Sequence, residues 1–415
     1  PSGGSEYTHR IFPSTTAIGN GRYLIAGGLT SVDTTSVTSF EADDGARKAW
    51  VYDSKTGKMS KISSLMNNGR AAHSAVFVPG AETNQVILFG GTREMKFNPA
   101  DGSGFGWTFD TNQALKSVEV LEWTTGELPE TATFRQDVNT QELYRKRVWS
   151  SANVVSNDGL VLICGGSLWG ASSDPDYNEC DVWDALSNEF IVANVTMGLN
   201  RAGHSVAVLR VGSLPHLLFV GGTMGSSRVQ IYKSSSEQRS GNGGNFLNYS
   251  PDGLGKVFHH SLTAMGDGRF AVIGGVIHDQ GSFQPPNADS AWILTVDDKG
   301  GDEYEMSVQA VGGLGVGRYF HAAQAPSGKH LTILGGFTGM NFSAVSEARY
   351  YDEEQGGLVK FADDEPPAAR GGMASLLMDN DTMLLVGGIN GENDLTIDEP
   401  GVIEVYTPSS TPLYR

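Results

Sequence analysis

The sequence contains only two cysteines, Cys164 and Cys180, in 415 residues. Two thiols are too few for a disulfide framework or for a structural zinc site, which needs about four ligands. Basic residues are also scarce, with 29 Lys and Arg against 47 Asp and Glu, so the formal net charge is −18. Because this charge repels phosphate backbones and anionic lipid, we expect neither nucleic acid nor a membrane surface as a partner.

Long apolar runs are missing as well. No stretch approaches the roughly 20 consecutive apolar residues that span a bilayer, so the sequence predicts no membrane insertion. We find no Gly-x-Ser-x-Gly elbow, His-Glu-x-x-His, P-loop or dinucleotide fingerprint, and we therefore predict no catalytic residue, metal ligand or cofactor. The chain begins at Pro1 rather than Met. This start leads us to expect a processed or trimmed amino terminus.

Glycine, by contrast, is abundant, with 54 residues, and much of it follows a repeat. Seven times, a short apolar run ends in a pair of glycines, and the first glycines of successive pairs are 52 to 75 residues apart. Short β-branched runs bounded by glycine predict buried strands rather than helices. The seven pairs are Gly27-Gly28, Gly90-Gly91, Gly165-Gly166, Gly221-Gly222, Gly274-Gly275, Gly335-Gly336 and Gly387-Gly388.

Two further markers accompany the glycine pairs. Most pairs are preceded by an Arg-x-x-His motif or a variant of it, as in Arg70-Ala-Ala-His73, and the fifth repeat keeps His260 but has Val257 in place of Arg. After each pair, beyond a loop, comes a strand that is often aromatic, such as Ala49–Asp53. Repeated units that cannot bury both faces alone become stable by stacking around a ring. The sequence therefore predicts an all-β, seven-bladed β-propeller with four-stranded antiparallel blades.

The predicted propeller fills the whole chain as a single domain. Its outer strand in blade seven comes either from Thr411–Arg415 or from residues 1–9, and the sequence leaves this choice open. The approximate blades are 10–66, 67–146, 147–197, 198–255, 256–313, 314–367 and 368–415.

The two cysteines fall on neighbouring strands of predicted blade three. Cys164 ends the second strand and Cys180 opens the third, so the two residues should lie nearly opposite each other. A disulfide, which would indicate an oxidising compartment, is one interpretation, and two separate thiols are the other. Four sequons, at Asn194, Asn248, Asn341 and Asn380, fall on predicted loops or outer strands, where a glycan could fit. Their number is close to chance, so they favour secretion only slightly.

The glycine pair, the Arg-x-x-His motif and the later Tyr or Trp resemble the kelch repeat over essentially the whole chain. Kelch propellers are mostly binding modules, but the galactose oxidase and glyoxal oxidase family builds a secreted copper-radical enzyme on the same fold. Two segments, 147–169 and 257–269, are similar to that family. The resemblance places Trp149 at the position of the family's cross-linked tyrosine, and His259-His260 at that of its Tyr-His pair. An indole cannot form that tyrosyl radical, so we expect the oxidase chemistry to be absent.

Copper bound by His259 and His260 in some other geometry is an alternative, although adjacent residues on a strand point to opposite faces. The recurring arginines also have two interpretations. A ring of them near one mouth of the channel could bind a carboxylate or sulfate, since guanidinium binds anions bidentately. Alternatively, each arginine pairs with an acidic or carbonyl group of a neighbouring blade. The candidate anion ligands are Arg70, Arg201, Arg318 and Arg370.

The loops between the second and third strands are the predicted functional surface, because function concentrates on loops that a rigid scaffold carries. The loop of blade two contains Trp107, and the loop of blade three contains Trp169 and Tyr177. Aromatic residues there could stack on sugar rings or anchor a protein, or they could fold the loop onto the propeller. We therefore predict an extracellular or cell-surface protein that binds a glycan or protein partner on this face. A divergent oxidase or other carbohydrate-active enzyme at the channel mouth, and a structural subunit of an extracellular assembly, are the alternatives.

Overall fold

A computed structural model shows a chain built almost entirely of β-strands, with helix limited to three 3₁₀ turns at Asp44–Arg47, Pro129–Thr131 and Asp137–Thr140 in the part described. None of the helices in that part is long and apolar enough to cross a membrane. The structure describes residues 9–33, 38–97, 107–108, 110–166, 178–211, 214–222, 229–237, 239, 244–279, 282–284, 290–301, 303–326, 331–339, 342–361, 368–390 and 403–407.

Blades one and two are the antiparallel sheets β1-β2-β5-β6 and β7-β8-β11-β12, and their loops share a further sheet, β3-β4-β9-β10. Their strands are β1 (Ser14–Gly19), β2 (Arg22–Ala26), β3 (Ser31–Asp33), β4 (Thr38–Glu41), β5 (Ala49–Asp53), β6 (Lys58–Lys61), β7 (Ser74–Val78), β8 (Thr83–Phe89), β9 (Glu94–Phe97), β10 (Trp107–Thr108), β11 (Val118–Thr124) and β12 (Thr133–Phe134).

Blades three, four and five are β13-β14-β15-β16, β17-β18-β19-β20 and β22-β23-β26-β27, with a small sheet β21-β24-β25 beside the last. Their strands are β13 (Ser151–Val154), β14 (Leu160–Cys164), β15 (Glu179–Asp184), β16 (Glu189–Thr196), β17 (Ser205–Val211), β18 (Leu214–Val220), β19 (Val229–Lys233), β20 (Asn245–Tyr249), β21 (Val257–Phe258), β22 (Ser261–Gly266), β23 (Arg269–Ile273), β24 (Val276–Asp279), β25 (Ser282–Gln284), β26 (Ala291–Gly300) and β27 (Glu303–Ala310).

Blade six is β28-β29-β32-β33, with β30 and β31 paired in its loop, and the described strands of blade seven are β34-β35-β36. Their bounds are β28 (Ala322–Gln324), β29 (Thr332–Leu334), β30 (Phe337–Thr338), β31 (Ser343–Ala344), β32 (Arg349–Asp352), β33 (Gly357–Lys360), β34 (Ala374–Leu377), β35 (Met383–Val386) and β36 (Ile403–Tyr406). The seven sheets form a ring, which confirms the predicted seven-bladed β-propeller.

The glycine pairs mark the places where neighbouring blades approach most closely. Both Gly27 and Gly28 have positive φ, and a Cβ added to Gly27 would lie 2.3 Å from the Arg70 carbonyl oxygen of the next blade. The Gly28 N–H donates to that same oxygen over 2.8 Å, and the equivalent bond recurs at all seven blade junctions. A side chain at the first glycine would therefore force two blades apart, which is why glycine is needed there.

The ring is closed by inner residues of blades seven and one. The Gly388 N–H donates to the Arg10 carbonyl over 2.9 Å, and the Phe12 N–H donates to the Gly372 carbonyl over 2.8 Å. The two segments that were predicted to compete for the outer strand of blade seven lie almost wholly outside the described residues.

The predicted disulfide is confirmed in blade three. Cys164 and Cys180 are paired opposite each other on β14 and β15, and their sulfur atoms are bonded. The bond joins the two ends of the loop formed by residues 165–179.

Removing this disulfide should cost about 3 kcal/mol of unfolding free energy, because the bond closes a loop whose ends are 16 residues apart. The suitable variant is Cys164→Val with Cys180→Val, because blade four has the cross-strand pair Val220 and Val229 at the same places. Urea denaturation of the variant and the wild type gives the difference. A wild type that keeps the same midpoint with and without reductant would contradict the prediction.

Candidate functional site

Seven residues, one from each blade, surround the propeller axis with φ between 50° and 71°. Each donates its N–H to the carbonyl of the equivalent residue in the preceding blade, over 2.7 to 3.4 Å, so that seven hydrogen bonds close a ring. Left-handed backbone is uncommon outside glycine, yet five of the seven are other residues. The members are Phe12, Ala72, Trp149, Gly203, His259, Phe320 and Gly372.

Four side chains of this ring fill the axis, and we call Phe12, Trp149, His259 and Phe320 the axial plug. The His259 ring centroid lies 4.6 Å from that of Trp149 and 4.3 Å from that of Phe320. Phe12 and Phe320 meet at 4.8 Å. Contacts at these distances are typical of packed aromatic pairs, so the centre of the propeller is filled by side chains.

An axial pocket of about 290 Å³ lies against the plug. The residue that follows each ring member also lines it, namely Pro13, His73, Ser150, His204, His260, His321 and Met373. Burial, together with the smaller effect of a neighbouring arginine, lowers the pKa of His73, His204, His260 and His321 to about 3. The four imidazoles are therefore neutral at pH 7.

Three of these histidines connect neighbouring blades. The Nε2 atoms of His73, His204 and His321 each lie 2.9 Å from a serine hydroxyl of the preceding blade. The recurrence of one contact at three junctions indicates a packing role, as the sequence suggested. The three serines are Ser14, Ser151 and Ser261.

His260 departs from this pattern. It is 7% exposed, and neither of its ring nitrogens has a hydrogen-bond partner among the described residues. Ser205 is the equivalent serine of the preceding blade, but its hydroxyl donates to the His260 backbone carbonyl over 2.8 Å. A buried imidazole without partners is costly, so His260 is the least satisfied polar group of the axial pocket.

The copper positions assigned by the resemblance do come together here, since Trp149, His259 and His260 all line the axial pocket. His259 has positive φ, and neither His259 nor His260 belongs to a strand, so the alternation of side chains along a strand does not apply to this pair. The residues nevertheless do not fit a copper site. Trp149 offers no metal ligand, and no group of three His, Cys, Asp or Glu side chains that could hold a metal occurs in the described ranges.

The arginines of the repeat serve the packing of the blades. Arg70, Arg201, Arg318 and Arg370 are between 0% and 3% exposed, so a ligand cannot reach them. The Nη1 atoms of Arg70 and Arg318 donate to the backbone carbonyl of the first glycine in the glycine pair of their own blade, over 2.8 and 3.2 Å. Arg201 makes the same contact. The prediction that each arginine pairs with a group of a neighbouring blade was therefore wrong, because these carbonyl partners lie in the same blade. The geometry gives the anion-binding interpretation no support.

In blades two, three, four and seven the arginine also meets a side chain near the start of the third strand, a relation that the sequence analysis missed. In blade six Arg318 donates instead to the Glu347 backbone carbonyl over 2.8 Å. Arg70 forms an ion pair with Glu119 at 3.0 Å, and Arg147 pairs with Asp181 at 2.8 Å. In blade four, Arg201 Nε donates to Gln230 over 2.8 Å. In blade one the Arg10 guanidinium lies over the Trp50 ring, 4.3 Å from its centroid, and in blade seven Arg370 forms an ion pair with Glu404. In blade five, Val257 and Trp292 occupy the two positions and belong to one apolar cluster. Comparing the third strands blade by blade would have revealed this pairing.

A second cavity, of about 560 Å³, is lined by blade three and by the connection that enters it. It opens on the loop face, which we define as the end of the blades that carries the loops between second and third strands. Glu179 begins β15 and Thr196 ends β16, while Glu142 and Tyr144 belong to the connection that enters blade three. In an antiparallel blade these places share one end. We call this cavity the loop-face pocket.

Buried apolar residues and exposed polar residues both line the loop-face pocket. Val182 and Val195 are buried, whereas Glu142, Glu179 and Thr196 are exposed. Tyr144 is 64% exposed. Its position is fixed because its N–H donates to Asp181 Oδ1 over 3.0 Å, and Arg147 holds the other oxygen of Asp181.

Of the three aromatic loop residues that were predicted to bind a ligand, the described part of the chain contains only Trp107. Trp107 lies in β10, which pairs with β9, so part of the loop of blade two folds into a sheet. Phe40 and Met95, which lie in loops of the same kind, are buried in the central apolar cluster. The loops are therefore folded onto the propeller where they are described, as one interpretation expected. Trp169 and Tyr177 lie outside the described residues.

Two of the four predicted sequons can be located fully. Asn248 on β20 and Asn380 in the turn before β35 are exposed. Asn194 lies within β16, and Asn341 lies outside the described residues. Gln230 Nε2 donates to the Asn248 side-chain oxygen over 2.6 Å, and Thr382 donates to that of Asn380. Glycosylation at these sites stays a prediction.

Comparison with known proteins identifies the fold. No family model matches the sequence, and no curated protein matches it. A solved structure described as a novel fungal alcohol oxidase of the AA5 family, in complex with copper, is 15% identical with a TM-score of 0.60. The match covers 96% of this chain and 74% of that one. At this identity the likeness shows a shared propeller fold, which agrees with the resemblance to galactose oxidase in fold alone.

Proposed function

We propose that this chain is an extracellular propeller that binds a glycan at the loop-face pocket. The main support for this proposal is that the exposed Tyr144 lines a cavity together with apolar residues and with the acidic residues Glu142 and Glu179. An aromatic ring can stack on the apolar face of a sugar, and carboxylates accept hydrogen bonds from its hydroxyls. The cavity volume is within the range of about 300 to 1,000 Å³ that small-molecule sites have.

Two features of blade three support this location. Glu179, which lines the pocket, begins β15, and its backbone carbonyl accepts a hydrogen bond from Arg147 over 2.8 Å. Cys180 lines the same pocket, and its disulfide to Cys164 joins β15 to β14. A rigid support is what a binding site requires, because it lowers the entropy lost when a ligand binds.

The extracellular location rests on the disulfide, since such bonds persist in oxidising compartments. The exposure of Asn248 and Asn380 agrees with it.

Replacing Tyr144 by Ala should weaken glycan binding about five- to hundredfold, if a sugar stacks on the ring as strongly as a nucleic-acid base, which gains about 1 to 3 kcal/mol. A glycan array followed by calorimetry on the best ligand measures the loss. The matched control is Leu186→Ala, because Leu186 is 73% exposed in the same blade but lies at the opposite end, between β15 and β16. Equal binding by both variants would exclude the loop-face pocket.

A second candidate is an enzyme related to the copper oxidases, favoured by the meeting of Trp149, His259 and His260 in the axial pocket. The poor fit of these residues to copper makes it the weaker candidate. Stoichiometric copper in the purified chain, together with peroxide formation from an alcohol, would reverse that order.

A further inference from the structure

We infer that the glycan bound at the loop-face pocket carries free amino groups, an inference that rests on the proposed function and names its ligand class. The residues that line the pocket include three acidic ones, Glu142, Glu179 and Asp181, and one basic one, Arg147. These lining charges leave two negative charges uncompensated. A cationic sugar fits this balance better than a neutral one, and an acidic sugar is repelled.

The two negative charges without a counter-ion belong to residues that are exposed to solvent. The carboxylate of Asp181 is already used by Arg147 and by the Tyr144 N–H. Glu142 and Glu179 are exposed, and neither forms an ion pair within the part of the chain that is described. Two exposed carboxylates beside a sugar-stacking tyrosine would each receive an ammonium group of the ligand.

Nearby basic residues do not cancel this charge. Lys146 donates to the Thr111 carbonyl over 2.8 Å, and the Arg145 guanidinium lies over the Tyr144 ring at 5.1 Å from its centroid. Neither residue lines the pocket. The whole chain, with a net charge of −18, adds a long-range attraction for cations.

The test compares oligomers of glucosamine with the same oligomers after N-acetylation, which removes the charge and keeps the sugar ring. We expect the glucosamine oligomer to bind about five- to thirtyfold more tightly at low salt, as two partly exposed charge pairs would give. The preference should shrink with added salt. In the double variant Glu142→Gln with Glu179→Gln, both oligomers should bind alike.

The outcomes separate this inference from the proposed function. If both oligomers bind the wild type equally and Tyr144→Ala abolishes both, the glycan site stands and the amino-sugar inference is wrong. If neither oligomer nor any neutral glycan binds, the proposed function fails as well. If a lysine-rich peptide binds and every glycan fails, the ligand is a basic protein segment and both statements are overturned. Thermal melting of the Glu→Gln variants checks that they remain folded, as expected for exposed positions.

Discussion

Lowering the pH from 7 to 5 is expected to remove about 8 kcal/mol of unfolding free energy and to bring the propeller to the edge of unfolding. The cause is the group of four buried histidines around the axis, His73, His204, His260 and His321, whose pKa values burial lowers to about 3. In the unfolded chain a histidine has a pKa of about 6.5. Between these two values the unfolded state binds more protons, so stability falls as the pH falls.

The size of the loss follows from the two pKa values. At pH 5 each histidine favours the unfolded state by about 2 kcal/mol, and four of them give about 8 kcal/mol. Domains have total stabilities of about 5 to 15 kcal/mol. Above pH 6.5 the contribution is fully present, and below pH 3 no more is lost. Urea denaturation at a series of pH values measures the slope.

The matched variant for this prediction is His260→Met. Blade seven has Met373 at the equivalent position, so the fold already accommodates methionine there, and His260 has no described side-chain hydrogen bond to lose. Between pH 7 and pH 5 the variant should lose about 2 kcal/mol less than the wild type. A wild type whose stability is the same at pH 7 and pH 5 would show that these histidines are not buried as neutral groups.

Replacing Arg70 by Met should cost about 3 to 5 kcal/mol of unfolding free energy, because it leaves a buried carboxylate without its counter-ion. Arg70 and Glu119 both have side chains that are 0% exposed. Glu119 would keep the N–H donors of Asn67 and Asn68 but lose its only charged partner among the described residues. Chemical denaturation at pH 7 measures the change.

The Arg201–Gln230 pair of blade four, which contains no carboxylate, supplies the control. Arg201 is buried in the same way, but its partner Gln230 carries no charge, so Arg201→Met should cost less, about 1 to 3 kcal/mol. The double variant Arg70→Val with Glu119→Trp copies the Val257 and Trp292 pair of blade five and should recover part of the loss. If Arg70→Met and Arg201→Met lose the same unfolding free energy, the unpaired carboxylate of Glu119 is not the cause of the loss.

The fold could be predicted from the sequence because its cause is local and repeated. A glycine pair after each apolar run is required by the close approach of the next blade, as the contact between Gly27 and Arg70 shows. The disulfide could be placed for the same reason, since the repeat assigns Cys164 and Cys180 to paired strands.

The candidate site could be predicted only in outline. The loop face stays a prediction as the functional surface. Tyr144 was missed because it lies in a connection between blades, whereas the predicted aromatic residues all lie in loops within blades. The left-handed ring around the axis gave no signal, because its members share a backbone conformation and no residue type, as Phe12, Trp149 and His259 illustrate. Its conformation is imposed by hydrogen bonds to the preceding blade, and no pattern along one strand encodes it.

The seam between blades seven and one is made of the same two backbone hydrogen bonds as every other junction. Gly388 reaches Arg10 as Gly28 reaches Arg70, and Phe12 reaches Gly372 as Ala72 reaches Phe12. The inner ring therefore contains no mark of where synthesis of the chain starts. A gene rearranged to begin at another blade would therefore encode the same inner ring of hydrogen bonds.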